Sequence, residues 1–160
     1  MLSLRNSASE AIPYFIKAAS YTSTVKTSPQ TYAYLAAAYE EGPYAKLADA
    51  YERTYSGKDE IDESRLALAN INQIVDRIID AYARAVALVG LESPTLMQGA
   101  SFRLRSTVES PAMWLGKLTE LYKYRHNASE AGLKNLIRTV LSTPLPPEPT
   151  PITWLPPRKK

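Results

Sequence analysis

The sequence predicts an all-α protein of about six helices, and three observations carry that expectation. Between Ile61 and Val89 the apolar residues Leu68, Ile71, Val75, Ile78, Tyr82, Val86 and Val89 recur every three or four positions, the spacing of one helix face. The pairs Ser28-Pro29, Ser93-Pro94 and Ser110-Pro111 each place an N-cap hydroxyl before a proline, whose missing N–H is tolerated in a first turn. No segment alternates apolar and polar residues between hairpin turns, as half-buried strands do.

The elements follow in order. Residues Ala8 to Tyr21 predict a first helix, with Pro13 in or near its first turn, or kinking it. From Ser20 to Thr31 the chain holds seven Ser or Thr residues, a poor helix interior and a good loop. Helices are expected at about 29–41 and 43–56, broken by Gly42-Pro43, the second closed by Gly57. The 61–89 segment is the spine, roughly 40 Å long at ~1.5 Å per residue. Asp59, Glu60, Asp62 and Glu63 suit its positive N-terminal end. Asp80 and Arg84 form an acid-to-base i,i+4 pair, and Gly90 stops the helix. Further helices are expected at about 94–108 and 111–125, the latter ended by Asn127. A last one, capped by Asn127 or Ser129, runs to about Ser142 and stops at Pro144. Seven of the twelve prolines lie beyond Thr143, so the tail is expected to be extended and polyproline-like, held by neighbouring chains with Trp154 as anchor.

Composition narrows the function. A chain of 160 residues, 45% hydrophobic and 22% charged, is one globular domain's worth. No run of 18 apolar residues exists to span a membrane, and polar residues from Arg5 to Glu10 interrupt any secretory signal. Without cysteine there is no disulfide framework and no thiolate chemistry. His126, the one histidine, sits in a basic helix end where a cation suits the dipole, so no histidine metal cluster forms. The six glycines are scattered, leaving no phosphate-cradling loop. No catalytic residue, metal or cofactor is expected.

Charge and tyrosine content say more. The first hundred residues hold nine Lys or Arg against twelve Asp or Glu; the last sixty hold ten against four. Ala11 to Tyr39 contains no acid. It does contain Lys17, Lys26 and a run of hydroxyl and amide side chains, the groups that bind phosphate backbones without reading sequence. Arg5, Lys17, Ser20, Thr24, Lys26, Thr27 and Gln30 are the expected nucleic-acid contacts there. Arg103 and Arg105, in a second acid-free stretch, join them. A competing placement sets Arg103, Arg105, Lys117, Lys123, Lys134 and Arg138 against the phosphates. Eleven tyrosines against two phenylalanines fit half-buried surfaces and interfaces. Tyr44, Tyr51 and Tyr55 share one helix stripe; with Trp154 they are candidate subunit contacts, core packing being the other reading. Tyr34 to Tyr51 also looks like a single tetratricopeptide-type helix pair, which would make the protein an adaptor for a protein partner.

Small size, helical character, absence of cysteine, many tyrosines, an acid-free N-terminal stretch and a proline tail together resemble the major coat proteins of filamentous double-stranded DNA viruses of hyperthermophilic archaea. These are the rudivirus, lipothrixvirus and tristromavirus group. The resemblance spans the whole chain and implies a helical bundle with an N-terminal helical arm and an extended proline-rich tail. It implies residues 1–60 as a DNA-wrapping arm, 61–142 as the bundle and 143–160 as a tie between subunits. It further implies double-stranded DNA, often A-form, as partner, a homo-oligomer or a heterodimer with a paralogous coat protein, and location in a virion assembled in the host cytoplasm. The acidic run from Glu40 to Glu63 departs from a uniformly basic arm.

Overall fold

The computed structural model describes residues 2–20, 29–89, 111–127 and 130–156, with side chains in the first of these from Ala8 to Ala19. Among them every regular element is helical. Helix α1 spans Leu2–Ser20 and α2 Pro29–Tyr39; a π-helical turn, Glu40–Tyr44, leads into α3, Ala45–Tyr55. Helix α4, Asp62–Val89, is followed by α5, Pro111–His126, and α6, Glu130–Thr139, which ends in a 3-10 turn, Val140–Ser142. The expected helix at 94–108, positions 21–28 of the hydroxyl-rich stretch and the Gly90 stop lie outside the described residues, while 29–31 open α2.

The spine forms as its periodicity dictates. At its start the Ser64 hydroxyl accepts from the Ile61 backbone N–H and donates to the Ile61 carbonyl, both at 2.9 Å. Ser64 thus takes the role that Glu or Gln has in a capping box. Its apolar stripe is buried from Ile71 through Val86. At other ends, Gly57 (φ 76°) and Asn127 (φ 45°) take the left-handed conformation expected of residues that terminate α3 and α5.

Two breaks differ from expectation. Gly42-Pro43 does not interrupt the chain; Pro29 to Tyr55 is one helical run containing the π turn. Pro43 has no N–H to offer the Tyr39 carbonyl, and the register slips by one residue, so the Ala45 N–H reaches the Glu40 carbonyl. The dihedrals stay helical at Tyr39, Tyr44 and Ala45. Tyr34 to Tyr51 therefore does not turn back on itself as the expected tetratricopeptide-type helix pair would. Pro13, expected near a first turn, sits in the middle of α1 because that helix begins at Leu2. It leaves the Ser9 carbonyl without its usual donor. Gly42 packs against this same Ser9: a Cβ on Gly42 would lie 2.5 Å from Ser9 Oγ and 2.8 Å from its backbone N. Ser9 near Gly42 and Phe15 near Tyr34 set α1 antiparallel to α2.

One apolar core joins these helices. Ile12, Tyr32, Leu35 and Tyr39 from α1 and α2 cluster with Ile71, Val75, Ile78 and Val86 of α4, Trp114 and Leu118 of α5, and Leu133 and Ile137 of α6. Fully buried alanines on both α2 (Ala33, Ala36) and α4 (Ala81, Ala85) let these two helices approach closely. The division at residue 60 falls in an exposed turn, yet the hydrophobic cluster runs across it.

Residues 143–156 carry no helix and run antiparallel along α4. Arg84 Nη1 donates to the Thr143 carbonyl at 3.0 Å, and Nη2 to the Pro144 carbonyl at 2.9 Å and Thr143 Oγ1 at 3.0 Å. Arg77 Nε donates to the Pro147 carbonyl at 2.9 Å. Asn70 Nδ2 donates to the Ile152 carbonyl at 2.9 Å, while Asn70 Oδ1 accepts the Ile152 N–H at 2.7 Å. The segment expected to need neighbouring chains is thus held by its own, because side chains of α4 satisfy carbonyls that prolines cannot pair among themselves.

Candidate functional site

The α1–α2 hairpin leaves part of the expected nucleic-acid set, Lys17 and Gln30, exposed. Glu10, Pro13, Tyr14 and Lys17 form the exposed face of α1, and Gln30 and Tyr34 the exposed side of α2. Tyr14 is 75% exposed, and Tyr34 is 39% exposed while stacking on Phe15 with ring centroids 6.1 Å apart. Glu10 lies two turns from Lys17 on the same face, so one acid borders the acid-free stretch. Thr31 is buried and does not contribute to this surface. Arg5 and Ser20 belong to α1, but their side chains, like Thr24, Lys26, Thr27, Arg103 and Arg105 altogether, lie outside the described residues.

The competing basic set is partly spoken for. Lys117 Nζ donates to Glu40 Oε2 at 2.8 Å, tying α5 to the π turn. Lys134 pairs with Glu130 at 3.6 Å, while Lys123 and Arg138 are exposed.

The tyrosine stripe divides between roles. Tyr44 and Tyr51 are half-buried and pack on the core, and Tyr55 meets Tyr51 with centroids 5.5 Å apart. Trp154 is 71% exposed, beside a groove of about 430 Å³ lined by Asp62, Glu63, Arg65, Leu66, Thr153 and Leu155.

A second groove, about 410 Å³, opens between α4, α5 and α6 and gathers Asp76, Asp80, Tyr122, His126, Asn135 and Thr139. Such a convergence of polar groups was not evident in the sequence. Both carboxylates are engaged. Arg125 donates through Nε and Nη2 to Asp76 at 2.8 and 3.0 Å, and Arg84 Nε donates to Asp80 Oδ2 at 2.8 Å. Burial pushes the Asp80 carboxyl above its ordinary value, against the opposing pull of Arg84. The Asp76 bond pushes the Arg125 guanidinium the same way, so it stays charged. His126 meets Tyr122 in a tilted ring contact with centroids 4.7 Å apart. No group of three His, Cys, Asp or Glu among the described residues is placed to hold a metal. No helix among them is long and apolar enough to cross a membrane.

At the π turn, Tyr39 and Tyr82 are buried beside Glu40. The Tyr39 hydroxyl and Glu40 Oε1 are buried without a hydrogen-bond partner among the described residues. Burial pushes the Tyr39 hydroxyl up to about 12, and burial with the Glu40 charge pushes Tyr82 up as well.

The residues that sequence reasoning missed are Asn70, Arg77 and Arg84. They recur every seven positions, so they fall on nearly one line of the helix. That interval was the available signal. Arg84, charged as it is, is only 3% exposed.

Comparison with protein families, curated proteins and solved structures found no match.

Proposed function

We infer that the protein is a structural coat protein that polymerises into a helical filament and wraps double-stranded DNA without sequence specificity. In this reading the chain is a helical bundle with an N-terminal helical arm and an extended proline-rich tail. One observation carries it: the α1–α2 hairpin turns Tyr14, Lys17, Gln30 and Tyr34 outward from a stretch, Ala11 to Tyr39, that contains no carboxylate. Lysine charge and hydroxyl and amide donors bind phosphates irrespective of base sequence. A single copy with about two phosphate contacts binds weakly, and affinity comes from many copies in register. The resemblance to filamentous archaeal virus coat proteins supports the same assignment, with the virion as location and a homo-oligomer or paralogous heterodimer as building block.

Negative-stain microscopy of the protein with linear duplex DNA tests the reading. Filaments whose length follows that of the DNA are expected. A monodisperse protein that neither assembles nor shifts DNA overturns it. In binding assays, replacing Lys17 and Lys26 with Ala flattens log K against log salt by ~0.9 per lost phosphate contact. An unchanged slope places the DNA elsewhere on the chain.

A further inference from the structure

We propose that the C-terminal segment 145–156 is exchangeable: in an isolated chain it lies on its own α4, and in an assembly it lies on α4 of a second copy. This goes beyond the DNA-binding reading; it rests on the reading that copies assemble and on the tail's geometry.

The contacts that hold the segment are almost indifferent to which chain supplies it. Asn70 clasps both the N–H and the carbonyl of Ile152, Arg77 takes the Pro147 carbonyl and Arg65 that of Pro156, while Arg84 holds the preceding Thr143 and Pro144 at the point where the segment leaves its own chain. All of the partners within 145–156 are main-chain atoms. The burial pattern shows what kind of strand is being read. Leu145 packs against the core; beyond it Pro146, Pro149, Ile152 and Leu155 are half-buried, and the residues between them are exposed. A three-residue period is that of polyproline II, which has no internal hydrogen bonds and leaves its carbonyls free for outside donors. The lengths agree: fourteen positions of α4 from Asn70 to Arg84 span ~21 Å. Eight residues from Pro144 to Ile152 span ~25 Å as polyproline II, a difference within an arginine's reach.

The docking is also shallow. No residue of the segment is fully buried, and its largest apolar side chain, Trp154, stays 71% exposed. A stiff strand held by main-chain bonds on a surface groove leaves with little rearrangement of the core, the condition for low-cost exchange between copies. Because cis and trans docking make the same bonds, effective concentration decides between them. A short tether supplies on the order of 1 mM, so the tail stays home in dilute solution, while copies packed in an assembly match or exceed that value.

The absence of cysteine makes the test clean. Full-length Asn70→Cys protein is mixed with full-length Ile152→Cys protein, without DNA, and oxidised; mass spectrometry counts the mixed disulfide. Arg77→Cys with Pro147→Cys is an independent second pair. Thr119→Cys, on the exposed side of α5, with Ile152→Cys reports random collision. Both test pairs are expected to exceed the collision pair at least tenfold. Trans occupancy should rise about fiftyfold between ~10 µM and ~1 mM protein. Test pairs no better than the collision pair, with the double variant Asn70→Cys/Ile152→Cys closing within one chain, would show a permanent cis strap and overturn the proposal. A double variant that fails to close, with no mixed product, overturns it too, because the tail would then not lie on α4. Either result leaves the DNA-binding reading untouched.

Discussion

Replacing Arg84 with Met tests the energetic centre of the tail contact. The guanidinium donates to Asp80 Oδ2 at 2.8 Å, the Thr143 carbonyl and hydroxyl at 3.0 Å and the Pro144 carbonyl at 2.9 Å. Its side chain is 4% exposed and that of Asp80 20%. Methionine keeps most of the volume and none of the donors. Thr143 and Pro144 are exposed and regain water as partner, so their loss is small. Asp80 keeps a largely buried charge without its counter-ion, the costly half of breaking a buried pair. The expected loss is ~3 kcal/mol at pH 7, equivalent to a drop of about 6–12 °C in Tm for a chain of this size. Urea unfolding followed by circular dichroism measures it. The sign with pH is also set. Burial already raises the Asp80 carboxyl, and removing Arg84 raises it further. A folded-state pKa above the unfolded one means the folded protein holds the proton more tightly, so ionised Asp80 destabilises at neutral pH and the penalty fades as pH falls. The Arg84→Met defect should therefore shrink from pH 7 towards pH 4, and Asp80→Asn added to Arg84→Met should recover part of it. A loss below ~1 kcal/mol, the level of an exposed ion pair, or a defect that grows in acid, would refute the reasoning.

Other outcomes follow from named contacts. Gly42→Ala drives a methyl against the Ser9 backbone and should destabilise by roughly 1–3 kcal/mol. Gly116→Ala, with nothing within 4 Å on an exposed helix surface, should stabilise by about 0.5–1 kcal/mol; equal effects at both glycines would contradict the packing described. Tyr39→Phe removes a buried hydroxyl that has no partner and should be neutral, or stabilise by up to ~1 kcal/mol, at pH 7 by urea unfolding. Tyr39 and Tyr82 ionise in the unfolded chain near pH 10 but later in the folded one, so stability present below pH 10 is lost as pH rises. Each contributes a slope of ~1.4 kcal/mol per pH unit above pH 10, and Tyr39→Phe should remove one such share.

Local signals were legible where one chain segment settles its own conformation. The apolar spacing from Leu68 to Val89, the starts of helices at Pro29 and Pro111 and the left-handed stops at Gly57 and Asn127 all depend on neighbours within a turn or two. Gly42-Pro43 was misleading because a helix break and a π turn use the same residues: glycine for space, proline for a missing donor. Which one forms depends on α1 lying across Gly42 at Ser9, a contact 33 positions away in the chain. Of the candidate site, the acid-free surface of α1 and α2 was readable from composition. The polar groove at Asp76 and Asp80 was not, because it exists only where α6 crosses α4 and α5.

The sequence by itself determined that this chain is helical, that α4 is its longest element and that residues beyond Thr143 cannot join a helix. Periodicity and proline are local facts, and local sterics enforce them. Only the tertiary structure decided the fate of Arg84, Arg77 and Asn70. On an isolated α4 they would face water. With the proline segment laid over them they bind a strand that has no hydrogen-bond partners of its own, because a polyproline carbonyl must find its donor on another element.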